Sequence, residues 1–418
     1  MLGQPSSTGL VLAGAAALGA YEVGVLSHLV EEVAPDIGDR AMPDVVSGTS
    51  AGALNAMALA AFADEPALGV RLLIRAWTEL RLGQVLRPSS VELLSMLLDV
   101  TGAPLRLRRA LQIRAIRGGL LDPAPIARLV RRIPFERIGE QLAAGRLRGA
   151  AISATRVETG AAVIFHQTKK LARPWQSEPN LVPLATRITA EHVLASAAIP
   201  LLFPPVEVEG HKYCDGGLRQ MVPLSPAIHL GATKLLVINP LPAVQSASRA
   251  PPLDSITSPL YLAGKALNAL FADRVSADLA RLRHTTDILR AGSRRFGPTF
   301  EREINLELAR GRTAPELPAP ELHEIDALGL EPSEDLGALA AEYVTSRAFR
   351  SSGPAGTLLR CIADGDPMRV GDLLAYLLFD GGFTATLIDL GRADARRRHD
   401  ELCTLFEPSS VPVTMAAT

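Results

Sequence analysis

Cysteine is nearly absent from this sequence of 418 residues, and its three examples, Cys214, Cys361 and Cys403, lie far apart with no CxxC pair. An odd, scattered set excludes a complete disulfide framework and predicts a reducing, cytoplasmic setting. No histidine, cysteine and carboxylate cluster has metal-ligand spacing, so no metal is expected. An excess of either charge is missing too. Lys plus Arg number 43 against 44 for Asp plus Glu, a formal charge of -1, so no global field recruits nucleic acid or an acidic partner. The longest apolar stretches, 9–30 and 192–206, are interrupted by Glu22 or broken by Pro200, Pro204 and Pro205, which predicts no transmembrane helix. The opening MLGQPSSTG carries no basic region before an apolar run, and no secretory signal is expected.

What is present is a chain long enough to bury a substantial core, as one large domain or two to three ordinary ones. Residues 9–13, GLVLA, are a short apolar run followed by a small-residue loop, after which Tyr21, Val25, Leu26 and Leu29 recur at helical spacing. The stretch PDVVSGTSAGALNAMALAAF repeats that order: strand at Val45 and Val46, tight glycine-containing turn, helix through Ala60. Two strand-loop-helix units in succession predict an α/β fold with a parallel, helix-covered sheet. Residues 66–140 read as mainly helical. Strand-like runs return at 149–157, 161–166, 206–217 and 234–240, with a further one at 323–332. A linker is expected at 243–254 and a helix over 260–284 with Leu267, Leu270 and Phe271 on its apolar stripe. Helices follow at about 370–405, then a frayed tail at 409–418. The expected domains are therefore a catalytic unit over 1–242 and a mainly helical region over 255–408 packed on it.

The sharpest local signal is GTSAG, Gly48 to Gly52, a G-x-S-x-G pattern that ends a predicted strand and opens a predicted helix. A serine on such a turn projects from the sheet edge, and the helix N-terminus favours negative charge beside it. Ser50 is the candidate nucleophile. The same residues also suit a plain strand-to-helix turn, so a second element is needed: a base. His192, His211 and His229 are conceivable bases of an α/β-hydrolase triad, but that fold places its elbow after several strands, and no HGGG-type segment is present. A carboxylate is the other choice. DGG occurs twice. Asp215 to Gly217 follows a hairpin-like stretch, where glycine lets a carboxylate approach another backbone closely. Asp380 to Gly382 sits between two helical runs and reads as an ordinary helix cap.

The order GLVLAGAAALGAYEVGVL, VVSGTSAGALNA, ASAAIPLLFPPV, YCDGG is similar to that of the bacterial patatin-like phospholipases, over roughly the first 240 residues. The resemblance implies a three-layer fold with a central, mainly parallel sheet, here with a C-terminal helical extension, and a lipid acyl hydrolase that needs no cofactor. It implies Ser50 as nucleophile and Asp215 as base, with Gly48 and Gly52 framing the elbow and Gly216 and Gly217 completing the DGG. A buried aspartate would hold its proton more tightly and so be a better base than an exposed one. The loop Gly14, Ala15, Ala16, Ala17, Leu18, Gly19 stands where the family resembles G-G-G-x-R/K-G, and it is the implied oxyanion loop. Two glycines and the basic residue are replaced. Alanine keeps its N–H, but its methyl disfavours positive φ, which puts loop geometry in question.

Two further readings stand beside the lipid-ester hydrolase. One is a catalytically weak or silent relative that binds lipid or a partner, since the loop is altered. The other is a dinucleotide cradle, which lacks the full G-x-G-x-x-G and any following P-loop lysine. The arginine-rich segment 105–148, from Arg106 to Arg148, would attract anionic headgroups at a peripheral membrane contact if its cations share one face. The competing expectation is solvated helices whose arginines pair with the acidic 301–345 segment. A lid or acyl groove is expected within 80–140.

Overall fold

The computed structural model describes residues 6–38, 42–85, 119, 121–171, 175, 180–241, 275–310, 321–349 and 371–407. Strand β1 (Thr8–Leu12) and strand β2 (Val45–Thr49) are buried along their whole length. Neither alternates between apolar and polar residues, as suits strands covered on both faces. They pair in parallel, Gly9 opposite Val45. The other strands are β3 (Gly149–Arg156), β4 (Ala162–Thr168), β5 (Leu181–Ala185), β6 (Val206–Val208), β7 (His211–Asp215), β8 (Lys234–Ile238) and β9 (Asp326–Leu330). The sheet runs β5-β4-β3-β2-β1-β8-β9, with the β6–β7 hairpin joined to the end of β3. Pairings β1–β2, β1–β8, β2–β3, β4–β5 and β8–β9 are parallel, whereas those of β3 with β4 and β7 are antiparallel. The result is a mostly parallel sheet flanked by helices, as the strand-loop-helix repeats imply.

Among the described strands, β5 is the one that sequence patterning passes over. Pro183 at its centre has no N–H to give, and it is accommodated because β5 lies at the end of the sheet order. Helix α1 (Gly19–His28) follows β1, and α2 (Ala51–Ala61) follows β2, continuing through a bend into α3 (Pro66–Thr78). Of the helical stretch expected to reach residue 140, the structure describes α4 (Ala124–Val130) and α5 (Glu136–Ala144) in its second half. Residues 86–118, with Arg106, Arg108, Arg109, Arg114 and Arg117, lie outside the described residues. Three of the arginines that are described depart from one expectation. Arg131 pairs with Glu191 at 3.6 Å, Arg137 with Asp64 at 2.8 Å and Arg148 with Asp44 at 3.9 Å. Their partners are Glu191, Asp64 and Asp44, none of them in the 301–345 segment.

Helix α6 (Ala190–Ser196) precedes the β6–β7 hairpin, and a short helix, Leu224–His229, separates Asp215 from β8. The C-terminal part contributes α7 (Val275–Phe296), α8 (Phe300–Arg310), β9, α9 (Leu336–Thr345), α10 (Gly371–Leu377), α11 (Gly381–Arg397) and α12 (His399–Phe406). Helix α7 continues past residue 284, while Leu267, Leu270, Phe271, the expected linker 243–254 and the expected tail 409–418 lie outside the described residues. Strand β9 extends the sheet beside β8, with Lys234 opposite Asp326. Asp380 accepts the Gly382 amide at 3.1 Å as the cap of α11, the role its surroundings predict. Among the described residues no helix is long and apolar enough to cross a membrane.

Helix α11 lies directly on α1. A Cβ at Gly24 would sit 2.0 Å from the carbonyl oxygen of Ile388, and one at Gly391 would sit 2.2 Å from that of Tyr21. Both glycines let the two backbones touch, and the buried Tyr21 hydroxyl donates to Asp394 at 3.0 Å across the same contact. Beside it, ring nitrogens of His28 and His399 are 3.1 Å apart. Replacing Gly391 by valine is expected to force the helices apart at a cost of about 1–3 kcal/mol. Urea denaturation should show the lower midpoint; an unchanged midpoint would contradict the close crossing.

Candidate active site

Ser50 joins β2 to α2 with φ 53° and ψ -121°, a conformation that L-residues rarely adopt. The two flanking glycines make this bend possible. A Cβ on Gly48 would meet the carbonyl oxygen of Gly52 at 2.4 Å, and one on Gly52 would meet the carbonyls of Leu12 and Ala13 at 2.5 and 2.6 Å. The elbow is thus pressed against the end of β1. Its amide is anchored from the other side: the Ser50 N–H donates to Ser196 Oγ at 2.8 Å, and that hydroxyl donates to the Ser153 carbonyl at 2.7 Å. The side chain of Ser50 stands at the N-terminus of α2, an 11-residue helix whose dipole favours negative charge there.

Asp215 ends β7 and is 2% exposed. Its backbone is clamped, with its N–H donating to the Ala198 carbonyl at 2.9 Å and its carbonyl accepting from Thr155 Oγ1 at 2.9 Å. The adjoining Gly216 must be glycine, since a Cβ there would fall 2.2 Å from the carbonyl oxygen of Ser153. The Gly217 amide donates to Asp215 Oδ1 at 2.7 Å. Burial pushes the carboxyl up from 3.8 to about 6, against the opposing effect of hydrogen bonding from Ser50 and Gly217. The protein therefore brings Ser50 and Asp215 together from positions 165 residues apart in sequence.

The loop after β1 forms the third wall. The Gly14 N–H is already donated to the Met221 carbonyl at 3.0 Å. Ala15 follows at φ -150°, Ala16 at φ 48°, and a single helical turn over Ala16–Leu18 closes when the Gly19 N–H reaches the carbonyls of Ala16 and Ala17. Ala16 thus occupies the left-handed region despite its methyl group. Ala17 and Leu18 are buried in the core, so the position expected to be basic is filled by packing. Behind the loop a buried polar chain links three helices. Asn55 of α2 donates to the carboxylate of Glu22 at 2.8 Å and to the Gly19 carbonyl at 2.9 Å, and it accepts from Trp77 Nε1 of α3 at 3.0 Å. Glu22 is fully buried, and loss of hydration drives its carboxyl well above the usual range.

Two cavities meet at Ser50. The larger, about 660 Å³ with its open mouth, is walled by apolar side chains that include Leu54, Trp77, Val85, Ile126, Val130 and Phe203. Helix α4 thus lines it from within the stretch where a groove was expected. The smaller, about 220 Å³, is walled by Gly14, Ala15, Ala16, Asp215, Ile199, Met221 and Tyr376 with Ser50. None of the three candidate histidines lines either cavity. His192 caps α6 with Thr189 and packs edge-on against Phe165, His229 stacks on Trp175, and His211 lies exposed in the β6–β7 hairpin. Among the described residues no group of three or more His, Cys, Asp or Glu side chains is placed to hold a metal ion.

Sequence patterning missed Ser196, Glu22, Asn55, Met221 and Tyr376. Ser196 belongs to ASAAIPLLF and Glu22 interrupts an apolar run, so both carried a signal; Tyr376 sits in DLLAYLLF, which reads as an ordinary buried helix.

Residues 10–228 match the family model Patatin, described as Patatin-like phospholipase. No curated protein matches the chain. Among solved structures, the crystal structure of VipD from Legionella pneumophila aligns with a TM-score of 0.28 at 13% identity, covering 92% of this chain and 67% of that one.

The raised proton affinity of Asp215 has a stability consequence of definite sign. The unfolded carboxyl ionises near 3.8 and the folded one near 6, so the native state is favoured below 3.8 and loses that advantage as pH rises through 6. The gap corresponds to a cost on the order of 3 kcal/mol for holding the charge. Asp215→Asn should therefore be more stable than the wild type at pH 8 and lose that margin at pH 4. Urea titrations at both values test it, and a margin independent of pH would contradict the assignment.

Proposed function

The chain belongs to the Patatin-like phospholipase family, and from that premise we propose that it is a lipid acyl hydrolase in which Ser50 is the nucleophile and Asp215 the base. The observation that carries this reading is the sharing of one cavity by Ser50 and a fully buried Asp215, with an apolar cavity opening from the same serine.

The ester carbonyl sits over Ser50 with its acyl chain in the apolar cavity. Ser50 Oγ bonds to the carbonyl carbon while Asp215 takes the hydroxyl proton, giving a tetrahedral oxyanion. As the intermediate collapses, the C–O bond to the alcohol breaks and Asp215 returns the proton to the departing oxygen. Water then enters on the Asp215 side and gives its proton to the carboxylate, and its oxygen attacks the acyl carbon. Collapse of the second intermediate frees the fatty acid and returns the proton to Ser50. A carboxyl near 6 suits both directions, since it accepts and returns a proton near neutral pH.

The oxyanion needs amides that are not already spent. Gly14 donates to Met221 and Ser50 donates to Ser196, so the role falls to the Ala15 and Ala16 amides on the cavity wall, aided by the N-terminus of α2. The altered loop favours a second reading, a lipid-binding relative with little or no turnover. A fluorophosphonate probe separates the two: labelling and ester hydrolysis that both vanish in Ser50→Ala support the hydrolase, and equal behaviour of the two proteins supports the silent form. In the active protein kcat/KM should fall on the acid side of about pH 6, because protonated Asp215 cannot take the serine proton. A flat profile from pH 5 to 8 would argue against Asp215 as base.

Because Ala16 already holds positive φ, restoring glycine there changes the loop's freedom more than its shape. Ala16→Gly is expected to leave kcat within about tenfold of wild type, whereas loss of an oxyanion donor costs about 100-fold to 1,000-fold. Steady-state kinetics on one ester measure the difference, and a change beyond 100-fold would mean that the methyl itself shapes the site.

A further inference from the structure

The two cavities at Ser50 are chemically unequal. Asp215 lines the smaller one and is absent from the described walls of the larger. In the hydrolase reading, on which this inference rests, one carboxyl must return a proton to the leaving alcohol and later accept one from water. Both events belong on the side that Asp215 faces, so the smaller cavity receives the alcohol and the water while the apolar one receives the acyl chain.

Counted with its mouth, the smaller cavity is about 220 Å³, against about 660 Å³ for the apolar one measured the same way. Most of its wall is fixed. Gly14, Ala15 and Ala16 present backbone and methyl groups, and Ser50 and Asp215 are committed to the reaction. The side chains that set its width are Ile199, Met221 and Tyr376. Methionine is flexible and yields, whereas an aromatic ring is large and has few rotamers. Tyr376 is 6% exposed and belongs to α10, which packs directly on the Ala16–Leu18 turn. Its ring is thereby enclosed against the loop side of the cavity. It also lies well outside residues 10–228, so it comes from the C-terminal part of this chain and not from the portion that matches the family.

We propose that Tyr376 sets the specificity for the alcohol half of the substrate. Its ring is the wall of the leaving-group side, admitting small alcohols and turning away a bulky glycerophosphodiester head.

The test compares kcat/KM for two esters of one fatty acid, an ethyl ester and a lysophosphatidylcholine, in the wild type, Tyr376→Leu, Tyr376→Phe and Ser50→Ala. Removing the ring should raise the ratio of large to small alcohol by on the order of tenfold, while Tyr376→Phe, which keeps the ring, keeps the wild-type ratio. Met221→Ala widens the same cavity from the opposite wall and should move the ratio in the same direction, which keeps the proposal testable if Tyr376→Leu does not fold. An unmoved ratio in the soluble wall variants, with hydrolysis still dependent on Ser50, overturns the role of Tyr376 alone. A ratio that shifts as strongly in Tyr376→Phe would assign the effect to the hydroxyl and overturn the steric account. Hydrolysis no better than Ser50→Ala in every form overturns the hydrolase reading, and the Tyr376 assignment with it.

Discussion

The backbone of Ser50 is held in a conformation it would not choose, and the rest of the site is arranged around that fact. Strain of this kind persists only where the surroundings over-determine it. Here three supports do so: Gly52 against the end of β1, Gly48 against the first turn of α2, and the Ser196 hydroxyl on the Ser50 amide. The first and third reach across the chain, to the end of β1 and to Ser196 of α6, while the second is local. The parallel pairing of β1, β2 and β3 places these parts side by side, so the sheet register and the elbow are one constraint seen at two scales.

Two buried carboxyls lie near the elbow, and their environments assign them different work. Asp215 opens onto a cavity and receives hydrogen bonds that favour its charge, which leaves its proton affinity near neutrality. Glu22 has no such outlet. It is enclosed behind the loop with Asn55 as partner, and desolvation dominates, holding its carboxyl well above the usual range. In the proposed reaction Asp215 exchanges protons with what enters; Glu22 ties α1 to α2, and through Asn55 and Trp77 to α3, so that the loop between β1 and α1 keeps its place.

The parts of this arrangement that were legible in the sequence are the parts built from neighbours in the chain. GTSAG shows its turn because strand, bend and helix are consecutive, and Asp215 can be told from Asp380 because each DGG has its own local setting. The resemblance of the first 240 residues added their pairing. What was hidden depends on distance along the chain. Tyr376 reaches the site through the packing of α10 on residues 16–18, and nothing in DLLAYLLF hints at it. The strand at 181–185 was concealed for another reason: its proline speaks against a strand unless its edge position is already known. The left-handed Ala16 was also beyond local reading, because only the close of the turn at Gly19 and the Gly14 to Met221 bond impose it.

The backbone contact between α1 and α11 carries a consequence for how the protein comes into being. Helix α1 is synthesised well before the surface it must cover, which is made by residues near 391, some 360 residues later. Until then Gly24 and Tyr21 face no partner, and the loop that α1 steadies cannot settle. The nascent chain would therefore hold its elbow and its loop in an unfinished state over that interval, in which a chaperone would find an apolar helix exposed. The loop beside Ser50 thereby reaches its final support only once the residues near 391 have been made.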